Sequence, residues 1–144
     1  GPALVAAGVA LRAAPAARAA LGAAGVPAEA AVDADWDTEY LALTLAVKVV
    51  DHLDDALAHV AAHGTEHTAS VVAEDAWVAE RFLREVDASC VLSNASTRFN
   101  DGGELGLGAE MGISTSRMHA WGPMGVRELT AEKFVVRGDG QVRR

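Results

Sequence analysis

The chain's 144 residues suffice for one domain with a real core and are marginal for two. Its apolar content (51%, against 5% aromatic) is mostly Ala, Val and Leu, and a formal net charge of -8 without a basic block excludes a nucleic-acid partner bound through phosphate neutralisation. The single Cys90 excludes an intrachain disulfide framework and suits a reducing compartment, and no apolar run approaches the roughly 20 residues of a membrane span.

The chain opens on Gly1 rather than Met, with no signal-type segment behind it, and reads as a cytoplasmic piece whose start lies upstream. Residues 1–34 hold 16 alanines, which favour helix but bury little surface each. Val9-Ala10-Leu11 reads as a short strand, and Pro15–Gly22 as a short helix with Pro in its first turn and Gly at its end. After the polar, aromatic loop Asp35–Tyr40, the run Leu41–Val50 is β-branched and nearly all apolar, so it predicts a strand buried on both faces. Asp51 or Asp54 is placed to cap a helix that ends before Gly64, with Leu57, Val60 and Ala61 on one face.

Ser70–Ala73 predicts a short strand. Glu74-Asp75 opens a second helix, in which Ala79, Phe82, Leu83 and Val86 repeat at helical spacing, and Cys90–Ser93 is the next strand. The middle of the chain therefore reads β-α-β-α-β with crossovers long enough for parallel pairing, an α/β sheet flanked by helices. In the tail, Lys133–Arg137 and Gln141–Arg143 flank Gly138-Asp139-Gly140, a hairpin signal with almost no apolar partner of its own. Such a tail is expected to add to a sheet in another subunit.

The stretch Asn94–Gly125 carries seven of the chain's 14 glycines among Ser96, Thr97, Arg98, Asp101, Glu104 and Glu110. Glycine is costly in chain entropy, so a dense cluster implies special backbone geometry or close approach to a ligand. This stretch leaves the carboxyl end of the last predicted strand, where open α/β sheets place their ligands.

SNASTRFNDGGELGLGAEMGISTSRMHAWGPMGV at Ser93–Val126, DWDTEYLALTLAVKVVDHLDDALAHVAAHGTEHT at Asp35–Thr68 and ELTAEKFVVRGDGQVR at Glu128–Arg143 carry a resemblance. In order and over most of residues 35–143, they resemble the glutamate-5-semialdehyde dehydrogenase (gamma-glutamyl phosphate reductase) family of the aldehyde dehydrogenase superfamily. The resemblance implies the C-terminal part of an aldehyde-dehydrogenase-like catalytic domain, with a parallel sheet, flanking helices and a C-terminal oligomerisation strand or hairpin. Residues 1–34 would end an upstream α/β region, 35–125 would complete the catalytic domain with its site loop at 94–125, and 126–144 would be the oligomerisation tail.

The implied activity is the NADPH-dependent reduction of L-glutamyl 5-phosphate to L-glutamate 5-semialdehyde and phosphate, in proline biosynthesis, by a homo-oligomer. In the family a cysteine thiolate displaces phosphate to give a thioacyl enzyme, and hydride then releases the aldehyde. That cysteine is absent from this chain, and Cys90, set in an apolar strand, does not replace it, so the piece alone is expected to be inactive.

The resemblance implies that Glu39 meets a cofactor ribose, the alternative being a solvated loop carboxylate. Arg98, with its bidentate fork, is the candidate for the substrate's α-carboxylate, the alternative being an ion pair with Asp101 or Glu104. Asn94, Ser96 and Thr97 offer hydrogen bonds to substrate, or fix the turn. His59, His63 and His67 fall four apart, but Gly64 interrupts the helical face, and solvated histidines are expected rather than a metal site. His67 and His119 are assigned structural hydrogen bonds, and Trp36, Trp77 and Trp121 packing or interface roles. Trp121 stands where the family typically has Arg. Two rivals remain: a non-catalytic interaction module that pairs through its tail, and a metal-binding α/β domain.

Overall fold

The alanine-rich start folds as two helices alternating with two strands in a computed structural model that describes residues 1–143; Arg144, the end of the expected tail, lies outside the described residues. These elements are α1 (Pro2–Ala6), β1 (Ala10–Ala13), α2 (Pro15–Ala23) and β2 (Glu29–Ala30). Pro15 occupies the first turn of α2, where its missing N–H costs no helical bond. The stop is Gly25 rather than Gly22. With φ at 69° it lets its own N–H reach the Gly22 carbonyl (3.0 Å) and the Val26 N–H reach that of Leu21 (2.9 Å). Those two bonds are a Schellman closure, and Val26 is buried behind it.

Two compact units divide the chain. The first comprises Gly1–Thr65 and Ala73–Asp87, the second Glu66–Val72 and the chain from Ala88 onward. In the first unit β1 is the centre of a three-stranded parallel sheet, ordered β2-β1-β3, with β3 at Thr44–Val47. Leu11 and Ala13, alternate residues of β1, are buried together with Ala17 of α2 and Val26.

The run Leu41–Val50 forms a much shorter strand than its composition suggests, and it is not buried on both faces. Only four residues pair, in register Ala10↔Thr44 to Ala13↔Val47, and Leu41 is 89% exposed. As an edge strand β3 has one hydrogen-bonding neighbour, and Leu43 and Val49 on either side of it are exposed as well. Nor does β3 share a sheet with the strands that follow it, so the β-α-β-α-β reading holds in element order but not in pairing.

Helix α3 (Leu53–His63) ends before Gly64 as its pattern requires. Its cap differs from expectation: Asp55 reaches back to the His52 N–H (3.2 Å), while Asp54 is ion-paired to Arg81. In α4 (Ala76–Glu85), Asp75 is the N-cap and accepts from Trp77 and Val78 N–H groups. Ala79 and Phe82 are its buried stripe, and α4 packs against α3.

The second unit holds β4 (Thr68–Val71) and β5 (Cys90–Ser93), a parallel pair in register Thr68↔Cys90 to Val71↔Ser93. It also holds an antiparallel pair, β6 (Gly112–Ser114) with β7 (Gly122–Met124), that the glycine-rich sequence did not announce. The architecture is thus α/β with parallel sheets and flanking helices, as expected.

The tail departs from expectation. The bend is present, with the Asp139 N–H on Gln141 Oε1 (2.7 Å), yet among the described residues no strand pairs across it. Phe134, Val136 and Val142 are exposed. A lone two-stranded ribbon without an apolar surface to lie on is at best marginal in water, which accounts for the open conformation. Among the described residues no helix is long and apolar enough to cross a membrane.

Candidate functional site

The stretch that leaves β5 is bolted to β4 at three points. The Asn94 N–H continues the ladder onto the Val71 carbonyl (2.8 Å), Ser70 Oγ donates to the Ala95 carbonyl (2.7 Å), and Asn100 Nδ2 donates to Thr68 Oγ1 (2.8 Å). Asn100 is only 7% exposed, whereas Asn94, Ser96, Thr97 and Arg98 are exposed. One buried amide therefore anchors a turn whose other polar side chains face outward. Asn94 takes a left-handed conformation (φ 53°), which Asn tolerates better than most residues. Ser96 opens a short 3-10 turn at Thr97–Phe99, its Oγ accepting the Arg98 N–H at 3.2 Å. The turn-fixing role is thus real for Ser96, and its hydroxyl hydrogen remains available to a ligand.

Arg98, Phe99, Asp101 and Glu104 line an open pocket of about 270 Å³. The Asp101 carboxylate is turned to the backbone, accepting from Gly103 (2.8 Å) and Glu104 (3.1 Å) N–H groups. Among the described residues Arg98 makes no ion pair, so the expected alternative partnership with Asp101 or Glu104 does not form.

Beyond Asp101 the loop is closed by two carboxylates. Glu110 accepts the Gly102 N–H (2.7 Å), and Glu128 accepts the Gly125 N–H (2.9 Å), a bond that holds the Glu128 carboxyl below its usual range. Gly102 and Gly125 both abut the Ala109 carbonyl oxygen, where an added Cβ would lie at 2.9 and 2.8 Å. His119 takes a structural role, its Nε2–H donating to the Glu128 carbonyl (2.7 Å). Arg117 covers the Trp121 ring at 4.3 Å and pairs with Glu66. Cys90, first in β5, is partly buried, and burial pushes its thiol pKa up. Little thiolate forms at neutral pH, which makes it a poor nucleophile.

Glu39 belongs to the first unit and is exposed on the loop before β3. Sequence reasoning passed over what surrounds it. Asp35, in a 3-10 turn at Asp33–Trp36, is 5% exposed, and it accepts from the Val32 N–H (2.7 Å), the Tyr40 hydroxyl (2.7 Å) and Arg12 Nη1 (3.3 Å). The Val32 N–H, then the Tyr40 hydroxyl, then Arg12 hold its carboxyl below the ordinary carboxylate value, against the opposing effect of burial. His63 Nδ1 lies 2.8 Å from Asp37 Oδ1, and His59 lies edge-on to Trp36 with Lys48 at its Nδ1. The histidines are thus absorbed into side-chain contacts, and the only sequence signal was their four-residue spacing.

Because the folded-state pKa of Asp35 is lowered, its contribution to stability is complete above the unfolded value of 3.8 and is lost as pH falls through the folded value. In urea unfolding, the gap in midpoint between wild type and Asp35→Asn is therefore expected to hold down to about pH 4 and to narrow on further acidification. A gap independent of pH would show that Asp35 is not ionised in this network.

No family model matches the chain. Among curated proteins, it is 59% identical over 143 residues to the gamma-glutamyl phosphate reductase of Anaeromyxobacter sp. (strain Fw109-5), covering 99% of this chain and 33% of that protein. It is 58% identical over 152 residues to the protein of the same name in Symbiobacterium thermophilum, and 61% identical over 118 residues to that of Meiothermus ruber. The crystal structure of the Thermotoga maritima gamma-glutamyl phosphate reductase superposes with a TM-score of 0.88 at 45% identity, over 99% of this chain and 34% of that one. The chain spans about a third of the length of the curated relatives it matches.

Proposed function

This chain is homologous to the C-terminal part of gamma-glutamyl phosphate reductase, and on that premise we propose that it forms the substrate-recognition part of an NADPH-dependent, cytoplasmic reductase of L-glutamyl 5-phosphate. The observation that carries the reading is Arg98: an exposed guanidinium on a pocket wall anchored to β4, with the neighbouring Asp101 carboxylate already committed to the backbone. A planar fork in that position suits the α-carboxylate of a glutamyl substrate. Asn94, Ser96 and Thr97 flank it and supply orienting hydrogen bonds. Bound NADPH supplies the hydride, and Glu39, an exposed acceptor, fits the two hydroxyls of its ribose. The nucleophilic thiol is not assigned to Cys90, whose partial burial pushes its thiol pKa up and suits a structural residue.

In this reading residues 94–125 are the site loop of the catalytic domain and residues 126–144 its oligomerisation tail. The exposed Phe134, Val136 and Val142 support a tail that completes a sheet in a second copy. A full-length polypeptide carrying these residues is expected to oxidise NADPH only when glutamyl phosphate is present, releasing one phosphate per NADPH. A full-length protein that leaves glutamyl phosphate unreduced would overturn the reading.

A further inference from the structure

Four consecutive residues lead into β3, and three of their side chains are tied down. Asp37 Oδ1 meets His63 Nδ1 at 2.8 Å, Thr38 Oγ1 donates to the Ala34 carbonyl at 2.6 Å, and the Tyr40 hydroxyl donates to Asp35 Oδ1 at 2.7 Å. Among the described residues Glu39 is the one member of 37–40 whose side chain makes no hydrogen bond or ion pair. The clamps come from different parts of the unit. His63 is the last residue of α3, Ala34 and Asp35 belong to the 3-10 turn, and Arg12 of β1 steadies Asp35 from the sheet while lying 5.9 Å from the centre of the Tyr40 ring.

A merely solvated loop glutamate needs no such scaffold. Burying the Asp35 carboxylate carries a desolvation cost that only its three donors offset, and what those donors secure is the backbone of residues 35–40. Ordering the loop before a ligand arrives removes that entropic cost from the binding step.

We propose that Tyr40, held by Asp35, and His63, holding Asp37, are positioning residues that aim the Glu39 carboxylate at the nucleotide ribose. The inference rests on the assignment of Glu39 to the cofactor and adds the residues that make that contact productive. Neither positioning side chain needs to touch the nucleotide. Each acts by fixing one flank of Glu39.

The test is the equilibrium Kd of NADPH, measured by fluorescence titration of the full-length enzyme without substrate. Glu39→Gln is expected to raise it about tenfold, the scale of one charged hydrogen bond. Tyr40→Phe and His63→Ala should each raise it about threefold to tenfold, with the KM for glutamyl phosphate unchanged. His63→Gln, which keeps a donor toward Asp37, should restore most of the loss. Combining Tyr40→Phe with Glu39→Gln should give no more than Glu39→Gln alone, because the first acts through the second.

If Glu39→Gln leaves the NADPH Kd unchanged, the ribose assignment itself fails, and the positioning inference with it. If Glu39→Gln weakens NADPH while Tyr40→Phe and His63→Ala do not, the ribose assignment stands and the positioning inference is overturned. Full additivity in the double variant, or equal losses for both substrates, would mark the two residues as general stabilisers of the fold and overturn it too.

Discussion

Replacing Arg98 by alanine in the full-length enzyme is expected to lower kcat/KM for glutamyl phosphate by about one to two orders of magnitude, on the order of 1–3 kcal/mol for a lost charged hydrogen bond. The size of the effect follows from the pocket. Among the described residues Arg98 brings the one cation to a wall otherwise lined by Phe99, Asp101 and Glu104, and Asp101 is occupied by the Gly103 and Glu104 N–H groups. Without the guanidinium, the substrate carboxylate would face acidic neighbours and no counter-charge. Arg98→Lys keeps the charge but loses the fork, so it should recover only part of the loss. The affinity for NADPH should not change, which separates substrate gripping from a general collapse of the loop. An Arg98→Ala enzyme with wild-type kcat/KM would remove this residue from the site.

The second large effect is expected at Gly125. Its amide hydrogen-bonds Glu128, and a Cβ there would stand 2.8 Å from the Ala109 carbonyl oxygen, a backbone atom with no rotamer to yield. Gly125→Ala should therefore destabilise the closed loop by about 1–3 kcal/mol, the usual cost of overpacking. Gly102→Ala meets the same carbonyl at 2.9 Å and should behave alike. Gly112→Ala is the control, because its Cβ would enter open space. Hydrogen exchange reports the difference: the Met111 amide, bonded to the Met124 carbonyl at 2.8 Å, should lose protection in Gly125→Ala and keep it in Gly112→Ala. Equal protection in both variants would mean that the contact on Ala109 does not hold the loop shut.

Much of the local structure was legible because its causes are local. Asp75 ahead of an apolar stripe announces α4, and the short run Cys-Val-Leu-Ser announces β5 to the residue. The turn at Asn94 follows from a strand end meeting a residue that tolerates positive φ. The pairing of strands was not legible. Leu41–Val50 carries the composition of a buried strand whether its neighbour is β1 or β4, and only the four-residue register with Ala10–Ala13 settles the matter. The tail carries a hairpin signal, yet a turn sequence cannot supply the surface that a hairpin needs.

What the amino-acid order determined by itself is the cap of α4 at Asp75, the bounds of β5, and that a polar, glycine-laden segment follows the last parallel strand. What the tertiary structure alone decided is which of the three acids in DADWD is buried: Asp35 sits under Arg12 and Tyr40, while Asp33 and Asp37 are exposed. It also decided that Gly102 and Gly125 are required by a crowded carbonyl rather than by a turn. Both depend on atoms from distant parts of the chain reaching one place. Capping and periodicity act over a few residues, whereas burial and steric exclusion are set by whatever folds against them.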